Sequence, residues 1–204
     1  MRVFGIDPGS ERTGYGCVET DGSRHTVLLC GAISTSRSSS FADKLLEIHR
    51  HLTAIIAEAR PDCVAIESVF HAVNVRSALK LGHARGVAML AAGQAGVQVA
   101  EYSPAEVKRA VVGYGRAEKP QVQLMVKLLL GLPALPSPHD AADALAVAIC
   151  HAHSHRFARL VQGPDAKGRP TTMDGPRTKD GRGTKDGPGT KDGRRTKDQV
   201  PRTL

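Results

Sequence analysis

Phe4-Gly5-Ile6-Asp7-Pro8-Gly9 places a single carboxylate where an apolar run (Val3, Phe4, Ile6) breaks into a Pro-Gly turn. In an open α/β sheet such a break marks the carboxyl end of a strand, where ligands and catalytic groups collect. Asp before Pro-Gly is also ordinary turn chemistry. Asp7 alone is therefore either a turn former or a site residue, and the rest of the chain has to decide.

Outward from this stretch, residues 2 to 7 read as a first strand and Thr13 to Thr20 as a second. Asp21-Gly22-Ser23 signals a hairpin into a third, Thr26 to Ser34, so the chain opens with three antiparallel strands. Ser40-Phe41-Ala42-Asp43 has the form of a capping box for a helix running to about Ala59. Leu45, Leu46, Leu52, Ile55, Ile56 and Ala59 recur at helical spacing and are expected to form its buried face. Pro61 ends it, and Cys63 to Glu67 follows as a short apolar strand of the kind buried on both faces. A helix from about Val75 to Ala95 is rich in small residues, with Gly82 and Gly86 one turn apart. Glycine costs a helix about 1 kcal/mol, so something is expected to pack close there, either the sheet or a second subunit. Val97 to Tyr102 predicts a strand. Ser103-Pro104-Ala105-Glu106 predicts a capped helix ending near Gly113, Pro120 to Leu130 an amphipathic helix, and Pro138 to His153 a last helix after a proline-rich loop. The expected fold class is α/β: a mixed five-stranded sheet, antiparallel then parallel, flanked by helices.

The folded domain is expected over residues 1–157, with 158–204 a disordered, basic, low-complexity tail. Thr-Lys-Asp recurs there at residues 178, 184, 190 and 196, a hexapeptide period with almost no apolar side chains to bury. The net charge of +8 is unevenly placed: residues 1 to 154 carry 15 Lys plus Arg against 14 Asp plus Glu, and residues 155 to 204 carry 13 against 6. Any basic surface on the folded part must come from clustering instead of excess. No run of about 18 apolar residues predicts a membrane span. A start without a basic-then-apolar leader points to the cytoplasm. Cys17, Cys30, Cys63 and Cys150 lack any C-x-x-C pairing and are expected as buried thiols, not as a disulfide frame or zinc site.

The order β-β-β-α-β-α-β-α makes the first strand and the Cys63 to Glu67 strand parallel neighbours through a right-handed crossover. Asp7 and Glu67 then end the sheet side by side. Asp140 and Asp143 lie one turn apart on one face of the last helix. If that face turns inward, four carboxylates converge and require countercharge, which implies divalent cations. Oxygen-only ligation favours Mg²⁺ or Mn²⁺ over Zn²⁺. Each acid also has a plainer use: Asp140 fits a Ser137-Pro138-His139-Asp140 cap, Asp143 suits the helix dipole, and Glu67 can pair with an arginine. Those uses explain the acids singly better than together.

The segments FGIDPGSERTGYG (4–16), AIESVF (65–70), NVRSALKLGHARGVA (74–88), EYSPAEVKRAVVGYGRAEKPQV (101–122) and HDAADALAVAICH (139–151) resemble the RuvC family of bacterial Holliday-junction resolvases, within the RNase H-like superfamily. The resemblance covers residues 1 to about 155. It implies an RNase H-like fold and a homodimeric, Mg²⁺-dependent endonuclease, with two ions per subunit and Mn²⁺ as a substitute. Such an enzyme nicks symmetry-related strands of a four-way DNA junction, leaving 5′-phosphate and 3′-hydroxyl ends, in recombination and repair. The family's catalytic, metal-holding acids fall on Asp7, Glu67, Asp140 and Asp143. Phe70 matches an aromatic that engages a base near the crossover; Lys108 and Lys119 match basic residues near the cut. Arg76 and Lys80 complete the expected DNA-binding set, and His139 stays outside the metal set. RuvA and RuvB, the branch-migration complex, are implied partners, and no membrane is. Three other readings stay open at this point. A phosphotransferase of the sugar-kinase, actin and Hsp70 type shares the Gly-Ile-Asp-x-Gly opening but needs a second copy of the fold, for which the chain is too short. A junction-binding protein that does not cut differs by lacking Mg²⁺-dependent nicking. A nuclease for RNA in hybrids would not require a dimer.

Overall fold

The structure is a computed structural model and describes residues 1–68 and 74–162. Phe70 and the repeat tail lie outside the described residues. Among those described, five strands, β1 (Arg2–Asp7), β2 (Arg12–Thr20), β3 (His25–Ser34), β4 (Cys63–Glu67) and β5 (Gln98–Tyr102), form one sheet in the order β3-β2-β1-β4-β5. The pairs β1–β2 and β2–β3 are antiparallel, and β1–β4 and β4–β5 are parallel. The helices are α1 (Phe41–Ala59), α2 (Val75–Gln94), α3 (Pro104–Val112), α4 (Lys119–Leu129) and α5 (His139–Gln162). The mixed sheet expected from the strand pattern is the one found.

Pleating sorts the strand side chains into two cores, because successive residues point to opposite faces. Phe4, Ile6, Val64 and Ile66 point to one face and pack with Ile48, Leu52 and Ile56 of α1 and Ala88, Ala91 and Ala92 of α2. Val3, Val18 and Ala65 point to the other, against α3, α4 and the Leu145 to Cys150 segment of α5. Asp7 and Glu67 continue the Val3 and Ala65 rows. They therefore emerge on the α5 side, at the ends of two adjacent parallel strands.

Glycines let α5 lie directly on the strand backbones. A Cβ on Gly5 would stand 2.0 Å from the carbonyl oxygen of Ala144, and one on Gly14 the same distance from that of Asp140. Neither position has room for any side chain. The alanines of α5 complete the close seat, and residues 141, 142, 144 and 145 to 150 are all buried.

Local signals in the sequence account for the element ends. Ser40 accepts a hydrogen bond from the backbone of Asp43 at the start of α1. Ser103 and Glu106 form a reciprocal capping box on α3, which stops at Gly113 in the left-handed conformation that glycine tolerates.

The structure departs from expectation in four places. Leu46 of α1 is exposed, and Lys44 takes a place on the buried face, its ammonium 2.6 Å from Glu11. The lysine stem packs as an apolar group while its charge finds a partner at the rim. Cys30 is exposed, unlike the other three cysteines, because β3 is an edge strand with one face left partly open. The last helix runs to Gln162, past the expected end at His153, since nothing from Ser154 onward breaks it until Gly163-Pro164. Finally, Gly82 and Gly86 of α2 do not seat on the sheet: both have nothing within 4 Å of where a Cβ would stand.

Candidate active site

The turn after Asp7 is held from within. The Thr13 hydroxyl, fully buried, donates to the Gly9 carbonyl at 2.7 Å and accepts from the Gly9 amide at 3.3 Å. Thr35 donates to the Ser10 carbonyl at 3.0 Å. Asp7 is thus fixed at a strand end by hydrogen bonds that do not use its own carboxylate, which argues against a mere turn-forming role.

Asp7 and Glu67 follow the paired residues Ile6 and Ile66 at the ends of adjacent parallel strands, close enough for each carboxyl to act on the other's protonation. Burial, then the charge of Glu67, pushes the Asp7 carboxyl up to about 8, with Asp143 adding to the effect. Burial raises Glu67 as well, against the hydrogen bond from Asp7 that lowers it. Lys119 acts in the opposite direction on both, and Lys108 on Glu67. The two lysines expected near the cut therefore stand within electrostatic reach of the acid pair.

The two acids of α5 are each drawn to a cation. Lys119 Nζ lies 2.5 Å from Asp143 Oδ2, and that contact raises the lysine's pKa. Arg12 Nη1 lies 3.3 Å from Asp140 Oδ2. The side chain of Asp140 thus faces β2 instead of capping its own helix. Arg12 is absent from the residues the sequence singles out. Its signal there is weak, a basic residue just past the Asp7 turn at the start of the strand that α5 crosses.

Among the described residues, no group of three or more histidine, cysteine, aspartate or glutamate side chains is gathered so as to hold a metal ion. The chemistry of the donor set nevertheless fits a hard divalent cation. The donors are carboxylate oxygens only, and burial raises the pKa of both Asp7 and Glu67, as expected of acids short of positive charge. The outer acids lean on Arg12 and Lys119 for the same reason.

The other residues expected at the site divide by place. Arg76 and Lys80 are exposed on the first turns of α2, and Lys80 Nζ lies 5.9 Å from the centre of the Phe41 ring, outside the acid cluster. His139 lies at the start of α5, next to Asp140 in the chain.

A sheet with an antiparallel opening, two parallel strands ending in acids, and a helix bearing two more acids laid across the central strands defines an RNase H-like α/β protein. The family described as crossover junction endodeoxyribonuclease RuvC matches residues 3–151, and the chain belongs to that family. The crossover junction endodeoxyribonuclease RuvC of Ruminiclostridium cellulolyticum is 52% identical over 161 residues, covering 79% of this chain and 97% of that protein. The Thermus thermophilus RuvC structure aligns with a TM-score of 0.72 at 37% identity, over 78% of this chain and 97% of that one. Thermus thermophilus RuvC in complex with Holliday junction substrate aligns with a TM-score of 0.71 at 35% identity, over 77% and 96%.

Proposed function

We propose that this chain is a junction-resolving endonuclease: as a homodimer it makes paired, symmetric nicks in four-way DNA junctions by metal-dependent phosphodiester hydrolysis, in recombination and repair. The observation that carries the chemistry is the half-buried Asp7–Glu67 pair at two adjacent strand ends, with Asp143, paired to Lys119, acting on both. Family membership and the likeness to a junction-bound relative support the substrate.

Asp7, Glu67, Asp140 and Asp143 are the residues that would hold Mg²⁺, two ions per subunit, with Mn²⁺ as substitute. Bound there, such ions supply an activated water and stabilise the leaving 3′ oxygen. In the hydrolysis the water oxygen bonds to phosphorus and the bond from phosphorus to O3′ breaks, leaving a 5′-phosphate and a 3′-hydroxyl. Asp7, whose pKa burial raises, would have to be ionised before both carboxylates could act as ligands. Lys119, tethered to Asp143, brings a positive charge to the scissile phosphate, where it stabilises developing negative charge. Lys108 does the same from α3. Arg12 exchanges Asp140 for a backbone phosphate as DNA arrives. Phe70 stacks on a base near the crossover, and Arg76 and Lys80 hold the strand beyond the cut.

Support for the dimer comes from α2. Val75, Leu79 and Leu90 are exposed and, with Leu45, Gly82 and Gly86, line an open groove of about 820 Å³. An isologous contact through such a face matches the two equivalent strands of a junction. Among the described residues no helix is long and apolar enough to cross a membrane; a cytoplasmic location and partnership with RuvA and RuvB complete the proposal.

The test is a synthetic four-way junction against linear duplex of the same sequence, with and without Mg²⁺. Paired nicks in the junction alone, only with metal, are expected. Binding without nicking would leave a junction-recognition protein.

A further inference from the structure

At the end of the sheet opposite the acids, the hairpin between β2 and β3 brings His25 against the C-terminal half of α5. His25 Nε2 and His153 Nε2 stand 3.2 Å apart, and His153 Nδ1 lies 3.1 Å from the Ala110 carbonyl of α3. A carbonyl only accepts, so the proton of neutral His153 sits on Nδ1 and its Nε2 lone pair faces His25. His25 Nδ1 is buried and without a hydrogen-bond partner. His153 belongs to a row of three histidines, with His151 and His155 on a different face of α5. There His151 meets the Tyr102 hydroxyl at 2.9 Å.

We infer that His25 and His153 form a two-histidine site for a borderline transition-metal ion of the Zn²⁺ class, joining β3, α5 and, through Ala110, α3. Three observations converge on it. First, metal-to-imidazole bonds are about 2.0–2.1 Å long. Two nitrogens 3.2 Å apart then subtend about 103° at a shared ion, near the tetrahedral angle. Second, a ligating histidine usually donates its other N–H to a carbonyl or carboxylate, which fixes ring and tautomer. His153 already does so to Ala110. Third, burial and the neighbouring His153 hold the His25 pKa down, which favours the neutral ring with one nitrogen lone pair free to ligate.

Binding requires a tautomer change in His25. Its proton moves from Nε2 to Nδ1 of the same ring, so no proton is lost, but the buried Nδ1–H then lacks an acceptor, a cost that the bond to the ion has to offset. Asp21, at the hairpin before His25, acts on it as the nearby negative charge, against Arg156 on α5. Among the described residues these are the two imidazole nitrogens brought together, so water would complete the coordination. Imidazole ligands select Zn²⁺, Cu²⁺ or Ni²⁺ over Mg²⁺. The site is also remote from the acids: Asp140 and His153 are 13 residues apart on one helix, about 20 Å at 1.5 Å per residue.

The test uses full-length protein stripped with a chelator and titrated with zinc chloride by calorimetry. Thermal melts are compared with each variant's own zinc-free melt, and cobalt(II) absorption reports a low-coordinate site. One equivalent of zinc is expected to bind and raise Tm, undisplaced by a tenfold excess of Mg²⁺. H25Q and H153Q should each bind it at least tenfold more weakly, while H155Q and D7N retain it. The proposal is overturned if no equivalent is taken up, which would leave a plain histidine–histidine hydrogen bond. It is equally overturned if H25Q and H153Q bind like the unsubstituted protein, or if H155Q is the variant that loses the ion.

Discussion

In α5, the carbonyl of Ala144 lies where a Gly5 side chain would stand; in α2, Gly82 and Gly86 face outward with nothing near them. Both helices are long and made largely of small residues, and their sequences give the same impression of close packing. The difference is in what does the packing. The sheet supplies complementary glycines only under α5, at Gly5 and Gly14, whereas α2 crosses strands that present Phe4, Ile6, Val64 and Ile66. A bulky strand face holds a helix at arm's length, so glycines on α2 gain nothing from it and instead keep the outer face shallow. Small residues in a helix thus report close approach without saying by whom, and the partner's own residues decide.

The largest effect expected on the α5 side is chemical. D7N, E67Q, D140N and D143N should each lower junction cleavage by about 10³-fold or more, since each removes a proposed negative ligand, while junction binding changes little. Cleavage rates on a labelled junction beside gel-shift affinities measure this. A variant that keeps near-normal nicking in Mg²⁺ takes its residue out of the site.

Next come the two kinds of glycine. G5V should cost more than about 4 kcal/mol, because the new side chain overlaps backbone that cannot move aside. G86L should leave the monomer as stable or slightly more so, by up to about 1 kcal/mol, because leucine favours helix over glycine. It should, however, shift the proposed dimer toward monomer and reduce paired nicking. Denaturant unfolding and light scattering separate the two. A destabilised G86L monomer, or a dimer indifferent to it, would break the contrast.

A smaller effect follows from the raised Asp7 pKa. Folded Asp7 keeps its proton up to about 8, while the unfolded group releases it near 3.8. Between those values the folded state binds more protons, so stability of the metal-free protein declines as pH rises through this window and is fully retained below it. D7N removes that decline. Its Tm should match the parent near pH 4 and exceed it by several degrees at pH 8. Parallel Tm-versus-pH curves for the two proteins would contradict the raised Asp7 pKa.

The acids and the sheet are legible because their signals are local. Strand ends are marked by Asp7-Pro8 and by Glu67 after an apolar run, α3 by Ser103 and Glu106, and helical spacing alone puts Asp140 beside Asp143. What escapes depends on neighbours distant in sequence. Lys44 is buried because Glu11 waits for its charge, and Cys30 is exposed because β3 has no further strand beside it. Arg12 matters because α5 crosses β2 at that point. Periodicity in α1 cannot anticipate any of these.

The smallest effect concerns the tail. Residues 163–204 carry 11 Lys plus Arg against 6 Asp, without aromatics to read DNA shape. Deleting them should weaken duplex binding a few-fold and flatten its salt dependence, with junction-selective nicking intact. Titrations of both DNAs at several salt concentrations check this; lost junction discrimination with unchanged duplex affinity would make the tail a specificity element.

The contact of Gly14 with the backbone of Asp140 also works as an index mark. Helices packed through side chains can creep along one another by rotamer changes, but a carbonyl seated over a bare α-carbon has one address. Sliding α5 by a turn, about 5.4 Å, would present the sheet with a different set of backbone atoms and lift the helix off it. The spacing between the acids on α5 and those on β1 and β4 is therefore gauged by main chain, leaving the surrounding side chains free to change in evolution without detuning the site.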